Sequence, residues 1–372
     1  MNMGFNANFP LHLRVCGIWH RLADNAAMKR NLGKAPLQLL VGGAIAAHLA
    51  LMALQNLDLA PPWLAELSRF LPFYWLLLPL GVSVLLALFL RPLWVLAAAA
   101  NLALFVLVTM DFHWQLWPDH DMAGTHVRVL SYNIKALNAR HRAGGISEIE
   151  LEVQEYAPDI VALQDAQKWL TENDDTVPNV ARPVFGLPHV IAFDQYVLAS
   201  RYPLGDCKTG SLGPGDRLGH YLQCTAHIGT QDVQLVTAHF VSPRSSLLAT
   251  EREFADGLQD WQANLARRMT QAQTLLSVVS RLPRPLLVMG DFNAPEQSPV
   301  VQTLKRAGLA DAFAEGGTGW GYTHGHALSQ HIDLYRIDHI LRSAGVAVQS
   351  AAVGRSDASE HNPVIADLLI LP

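Results

Sequence analysis

Leu286-Leu-Val-Met-Gly-Asp-Phe-Asn-Ala-Pro295 is the stretch from which the rest of this chain is best read. Four apolar residues predict a short buried strand, Gly290 a tight turn, and Asp291 and Asn293 polar groups delivered at its end. In extended backbone side chains alternate, so these two residues, two apart, face the same way. A carboxylate beside an amide offers a hydrated divalent cation and a phosphate one hard anionic oxygen and one neutral hydrogen-bonding partner. The same letters also describe an ordinary Asx turn after a strand. The remainder of the chain separates the two readings.

Upstream, Ser246 to Arg281 carries Phe254, Leu258, Trp261, Leu265, Met269, Ala272, Leu276 and Val279 at three- and four-residue spacing. That pattern predicts one long helix with a core-facing stripe, ended by Pro283 and Pro285. Strands are predicted at Val127–Ile134, Asp159–Leu163, His189–Phe193, Gln195–Ser200, Leu218–Ile228 and Val233–Phe240. Downstream come Ile332–Arg342, Val346–Val353 and Val364–Leu371, after a shorter helix near Val300–Ala307. Ser147-Glu-Ile-Glu150 reads as a capping box opening a helix that Pro158 stops. Strands interleaved with helices predict an α/β domain of two packed mixed sheets with helices flanking them.

Polar residues fall at the predicted strand ends: Asn133, Asp165, His239, Asp291, Asn293, Asp338, Glu360 and His361. Phosphoester hydrolysis needs such a set, with oxygens for a metal, a base for water and cationic groups facing the transition state. Asp338 with His361 would form a carboxylate–imidazole pair that fixes the ring's tautomer. Each residue also has a local alternative. Asn133 and Asp165 cap strands, His239 is a satisfied core histidine, and Asp338 pairs with Arg336 or Arg342.

The ordered elements YNI, LQD, TAHF, GDFN, RIDHIL and SEHNPV resemble the endonuclease/exonuclease/phosphatase superfamily over Val127 to Pro372. The resemblance implies a four-layer α/β sandwich and phosphoester hydrolysis with Mg²⁺ or Mn²⁺. By that likeness Asn133, Asp165 and Glu360 belong to the metal site, and Asp291 orients or deprotonates the attacking water. Asn293 steadies water and phosphate, His239 contacts the phosphate, and His361, oriented by Asp338, stabilises the developing charge. Asp165 stands where the family usually has Glu, and Glu360 where it has Asp, with Asp357 an alternative source of that acid. Thr323-His324 replaces the threonine and aromatic residue of many relatives.

The N-terminal third has another character. Between Pro36 and Asp111 the only charged side chains are Asp58, Glu66, Arg69 and Arg91. Leu37–Leu57, Leu71–Leu90 and Leu93–Met110 are apolar runs of about the length that spans a bilayer as helix, which predicts three transmembrane helices ahead of the α/β domain. The expected organisation is a cytoplasmic segment 1–35, a membrane anchor 36–112, a linker 113–126 and a catalytic domain 127–372. Arg14, Arg21, Lys29, Arg30 and Lys34 precede the first run and Arg91 separates the second from the third, so both places are expected in the cytoplasm. The Asp58–Arg69 loop and everything after Met110 would then face the periplasm or exterior, with Trp63, Tyr74, Trp75, Trp114 and Trp117 at the outer interface. Met1 to Lys34 lacks the apolar core of a cleaved signal peptide. His48 falls mid-span, where a neutral imidazole bonded to a neighbouring helix is expected. In an oxidising compartment Cys207 and Cys224, each in or beside a strand of one region, have the opportunity to pair.

After Pro118 the chain has 20 Lys and Arg against 28 Asp and Glu, a net charge of −8 with neutral histidines. That is the opposite of a nucleic-acid binder's basic footprint. The leading expectation is a hydrolase of a lipid-linked phosphate, pyrophosphate or phospholipid head group, tethered to the bilayer as in membrane-anchored glycopeptide-resistance-type relatives. A metal-dependent nuclease and a catalytically weakened binding module are the alternatives, the second motivated by the two exchanged acids.

Overall fold

The computed structural model describes residues 11–57, 59–70, 74–115, 123–171, 177–213, 219–324 and 333–372. Trp117, much of the predicted linker and the side chains of Arg14, Arg21, Lys29, Arg30 and Tyr74 lie outside that description. The chain forms two compact units, Met1–Leu54 with Pro72–Thr109, and Gln55–Leu71 with Met110–Pro372.

The first unit is helical. It contains most of α1 (Leu11–Asn56), then α3 (Tyr74–Ala87) and α4 (Pro92–Leu104), the last continuing as a π-helical turn over Phe105–Thr109. Two stretches, Lys34–Asn56 and Pro92–Thr109, are long and apolar enough to cross a membrane. The middle run is shorter than expected: α3 has 14 residues, and residues 88–90 tighten into i→i+3 bonds before Pro92. Of the three apolar runs expected to have spanning length, two have it as helix among the described residues. His48 behaves as expected, its Nδ1 2.8 Å from Asn101 Oδ1 and its Nε2 2.8 Å from Thr109 Oγ1.

The second unit begins with α2 (Pro62–Arg69), in the segment expected to be a loop. It continues through β1 (Thr125–Asn133), α5 (Ala136–Ala139), α6 (Gly145–Glu155), β2 (Ile160–Gln164), β3 (Asn179–Val180), β4 (His189–Phe193) and β5 (Tyr196–Ser200). Then come β6 (Leu204–Ser211), β7 (His220–Ile228), β8 (Gln231–His239), α7 (Arg244–Arg252), α8 (Phe254–Val279) and β9 (Leu286–Asp291). The chain closes with α9 (Pro299–Lys305), β10 (Ala310–Asp311), α10 (Ala312–Gly316), β11 (Asp338–Arg342), β12 (Val346–Val353) and β13 (Val364–Ile370).

Among the described residues the strands form a seven-stranded sheet, β12-β13-β1-β2-β5-β4-β3, and a six-stranded sheet, β10-β11-β9-β8-β7-β6. Val129, Ile160 and Leu198 of the first pack with Leu222, Leu235, Met289 and Ile340 of the second in one apolar layer. The other face of the first sheet packs with Ile149 and Val153 of α6, that of the second with Leu265, Ala272 and Val279 of α8 and Val301 of α9. Two mixed sheets flanked by helices follow, as expected. Each sheet has one parallel pair, β1–β2 and β8–β9, within an otherwise antiparallel ladder. Cys207 and Cys224, on adjacent β6 and β7, form a disulfide.

Three local readings are corrected. The Ser147 capping box is not the helix start: α6 begins at Gly145, with Gly144 in left-handed backbone as its N-cap. The long helix is broken at Glu253, in extended backbone, and α8 crosses α7 where Gly257 lies so close that a Cβ would be 2.2 Å from Thr250 N. Strand β9 ends at Asp291, and Asn293 has a φ of 49°, so side-chain alternation does not carry across the turn.

Gly290 is required for the central strand pair. Its φ is +151°, and a Cβ there would stand 1.9 Å from the Ala238 carbonyl oxygen of β8. Gly290→Ala is expected to destabilise the domain by at least about 3 kcal/mol, combining backbone strain with a clash against a buried strand. Gly319→Ala, at φ +105° with nothing within 4 Å, should cost only backbone strain, about 1 kcal/mol. Denaturant titration of both variants checks the difference.

Candidate active site

Side chains at the C-terminal ends of parallel strands point into a common crevice, the usual location of ligand sites in α/β sheets. Here both parallel pairs contribute. Asn133 ends β1 and Asp165 follows β2; His239 ends β8 and Asp291 ends β9. Register does the rest: Asp291 is paired with His239 on one side and with Asp338 of β11 on the other.

Asp291 is 1 % exposed, and its Oδ2 is the common point. Asn133 Nδ2 donates to it at 2.9 Å, His239 Nε2 lies 3.5 Å away and His361 Nε2 3.9 Å away. The other oxygen, Oδ1, accepts the Asn293 backbone N–H at 2.8 Å. His361 Nδ1 stands 2.9 Å from Asp338 Oδ2, so the ring carries its proton toward that carboxylate and leaves Nε2 facing Asp291. The alternative partners for Asp338 are committed elsewhere, Arg336 to Asp111, Glu296 and Asp311, and Arg342 to Glu315.

The remaining expected residues are placed as follows. Asp165 Oδ2 is 2.8 Å from Lys135 Nζ, and its Oδ1 accepts from Gln167 Nε2 at 3.0 Å. Glu360 directs its carboxylate to the rim, 3.4 Å from Arg244 Nη1, 3.9 Å from Arg142 Nη2 and 3.4 Å from Asn138 Nδ2. Asp357 is exposed. Asn293 donates its side-chain N–H to the Phe240 carbonyl at 2.9 Å, bracing the turn after β9 against the end of β8. The structure thus brings Asn133, Asp165, His239, Asp291, Asp338 and His361 together, with Glu360 at the mouth and Asn293 behind.

Several participants carried no clear signal in the sequence. Lys135 follows Asn133 by two positions and has a φ of 45°; Asp165 and Asn293 share that left-handed backbone, at 53° and 49°. Such positions cost energy and cluster at functional sites. Gln195 Oε1 sits 2.7 Å from His239 Nδ1, and the Tyr196 hydroxyl accepts the His239 backbone N–H at 3.0 Å. Both read as plain strand residues. His324 stacks on His361, ring centroids 4.3 Å apart.

Burial opposes ionisation of Asp165, and the nearby His239 and Lys135, with hydrogen bonds from Lys135 and Gln167, hold its carboxyl well below the usual range. Burial likewise opposes charge on Lys135, which the carboxylates of Asp165, Asp291 and Glu360 outweigh, raising its pKa. Burial pushes Asp338 up to about 6 and His361 down to about 4.

The donor set fits a hard divalent cation. Asp291, Asp338 and His361 each offer an atom within 4.8 Å of the others, and Asp338 Oδ1 is buried with no hydrogen-bond partner among the described residues. An uncompensated carboxylate oxygen amid other carboxylates is what a cation satisfies. A second group of potential ligands, Asp111, His113 and Glu296, is already threaded by the Arg336 guanidinium and reads as an ion-pair network.

The Endonuclease/Exonuclease/phosphatase family profile matches residues 130–361, which includes every strand-end residue of the site. The chain belongs to this family. Its members are phosphoesterases and nucleases, so the protein is a hydrolase of that general type. Among solved structures, an endonuclease/exonuclease/phosphatase from Beutenbergia cavernae is 21% identical, with 66% of this chain and 72% of that one covered and a TM-score of 0.46. Truncated Caenorhabditis elegans TDP2 is 17% identical, covering 67% and 100%, with a TM-score of 0.47. The human Nocturnin catalytic domain, with bound sulfate, is 17% identical, covering 67% and 96%, with a TM-score of 0.43. A search of curated proteins found no match.

The Asp338–His361 pair generates a pH prediction. In this endonuclease/exonuclease/phosphatase domain, activity that needs His361 neutral and Asp338 ionised should hold from pH 7 to about 6 and fall toward about 4. Stability responds differently. The raised pKa of Asp338 contributes stability that is present at low pH and lost as pH rises through about 6. The depressed pKa of His361 contributes stability present above the ordinary histidine range and lost as pH falls toward about 4. The two oppose each other in the wild type, so its pH–rate profile should show a limb between about 4 and about 6 with little change in unfolding midpoint, whereas Asp338→Asn should displace the limb and leave a midpoint that falls as pH drops toward about 4.

Proposed function

We propose that this chain is a membrane-anchored, Mg²⁺- or Mn²⁺-dependent phosphoesterase that acts on a lipid-linked phosphate or pyrophosphate, or on a phospholipid head group, outside the cytoplasmic membrane. The observation that carries the chemistry is the buried Asp291 carboxylate set between Asn133, His239 and the Asp338-oriented His361. Two apolar stretches of spanning length and the acidic outer unit support the lipid substrate and the anchor, as in glycopeptide-resistance-type membrane phosphatases.

In this reading a water lies between Asp291 Oδ2 and His361 Nε2. Asp291 orients it, and the neutral imidazole takes its proton as the oxygen bonds to phosphorus and the bond to the leaving group breaks. Asp338 holds the resulting imidazolium. His239 Nε2 and the Lys135 ammonium face the charge that develops on the phosphoryl oxygens. A divalent cation held beside Asp291, with Asn133, Asp165 and the unpartnered Asp338 Oδ1 as further oxygen donors, would neutralise those phosphoryl oxygens further. Glu360, between Arg142 and Arg244, belongs to the mouth and completes the metal surroundings only by turning inward.

A nuclease is the second reading, because the family includes nucleases; the net charge of −8 after Pro118 opposes it. The test is hydrolysis by the full-length chain in detergent with Mg²⁺, comparing a polyprenyl pyrophosphate, a phospholipid and single- and double-stranded DNA. Cleavage of a lipid phosphate is expected, lost on chelation and reduced about 10²- to 10⁴-fold by Asp291→Ala. Preference for DNA would replace the lipid reading, and hydrolysis of no phosphoester would leave a binding module.

A further inference from the structure

Glu66 lies in the stretch between the first two apolar runs, where an acidic residue reads as part of a loop. It is instead completely buried, as is Arg268 of α8, 202 positions away. Arg268 Nη1 donates to Glu66 Oε1 at 2.9 Å and also to the backbone carbonyl of Asn293 at 3.0 Å. Asn293 is the residue two beyond Asp291, held in left-handed backbone. Glu66 Oε1 additionally accepts from Ser298 Oγ at 2.9 Å, so one carboxylate oxygen grips the turn after β9 at its far end while the guanidinium grips it at the near end.

The pair is caged on every side. The guanidinium lies 5.6 Å from the Phe70 ring centroid and 5.4 Å from that of Trp261. Trp261 Nε1 donates to the Trp63 carbonyl at 2.9 Å, and the Tyr335 hydroxyl to the Phe70 carbonyl at 2.9 Å. Asn264 Oδ1 accepts from Arg268 Nε at 2.9 Å.

Stability alone is a poor reason to build this. Desolvating two charges offsets most or all of their attraction, and well-packed apolar side chains of similar volume often do as well or better. Here the hydrogen bonding is also incomplete: Glu66 Oε2 has Arg69 Nη1 3.9 Å away as an ion-pair partner, but neither it nor Arg268 Nη2 has a hydrogen-bond partner among the described residues. What apolar side chains cannot supply is a fixed donor to the Asn293 carbonyl. We infer that Glu66 and Arg268 are positioning residues, and that α2 with the Phe70 that follows it is a built-in brace that holds the Asp291–Asn293 turn in its working geometry. The inference rests on the reading of Asp291 as the centre of a phosphoesterase site.

The experiment uses the full-length chain in detergent with Mg²⁺ and bis(p-nitrophenyl) phosphate as probe substrate. It compares wild type with Glu66→Leu/Arg268→Met, Glu66→Gln and Arg268→Lys, reading kcat, KM, thermal midpoint and hydrogen exchange at residues 291–298. The paired apolar variant should keep or raise the midpoint, lose kcat by about tenfold or more with KM changed less than about twofold, and exchange faster in the turn. Arg268→Lys, retaining a charged donor, should recover part of kcat. Equal kcat and unchanged exchange in the folded paired variant would overturn the inference, as would loss of kcat only in step with the midpoint. If wild type is inactive on every phosphoester, the functional reading fails, and the exchange rates alone then decide whether the brace exists.

Discussion

Burying the Asp291 carboxylate at the seam of two sheets is costly unless neighbouring groups compensate it, and the arrangement of the second unit follows from how that is done. Asn133 reaches it from the seven-stranded sheet, His239 from the adjoining strand β8, and His361 from before β13, held by Asp338 of β11 on the other side of β9. Because strand register places them, none of these groups can move without disturbing a ladder. Gly290 allows the ladder to close at that point, since any side chain there would occupy the space of the Ala238 carbonyl.

The two sheets contribute different functions to the same crevice. The first, through Asn133, Asp165 and the neighbouring Lys135, supplies oxygens and a cation suited to holding charge. The second, through His239, Asp291 and Asp338, supplies groups suited to orienting water and moving a proton, joined by His361 before β13. Separating these tasks between two rigid surfaces, each packed on a helical layer, is a means of fixing distances among residues that are far apart in sequence. The brace from Glu66 through Arg268 extends that logic to the turn, which no strand register constrains.

Much of this was legible in the sequence wherever a local pattern carried it. The run Leu286–Met289 before Gly290 marked β9, and polar residues ending apolar runs marked Asn133, His239 and Asp291. Pairing of Asp338 with His361 followed from the family resemblance, because spacing alone left Arg336 and Arg342 as equal partners. What escaped was long-range or geometric. Gln195 looked like any strand residue because its role depends on His239, which ends β8 in the other sheet. Nothing in the sequence singled out Glu66, because its partner lies 202 positions on. The break between α7 and α8 was hidden because no Gly or Pro lies between Ser246 and Phe254 to mark it, while the close approach at Gly257 is a tertiary fact. In the first unit, hydropathy identified the apolar runs but overstated the length of α3.

The central claim is that oxygens and imidazoles from both sheets surround a single cation beside Asp291. A crystal structure of the protein grown with Mn²⁺, with anomalous diffraction measured at the manganese edge, tests it directly. One anomalous peak beside Asp291, bounded by Asn133, Asp165 and Asp338 and within reach of His361, is the predicted result. A peak at Asp111, His113 and Glu296, or none in the crevice, would contradict it.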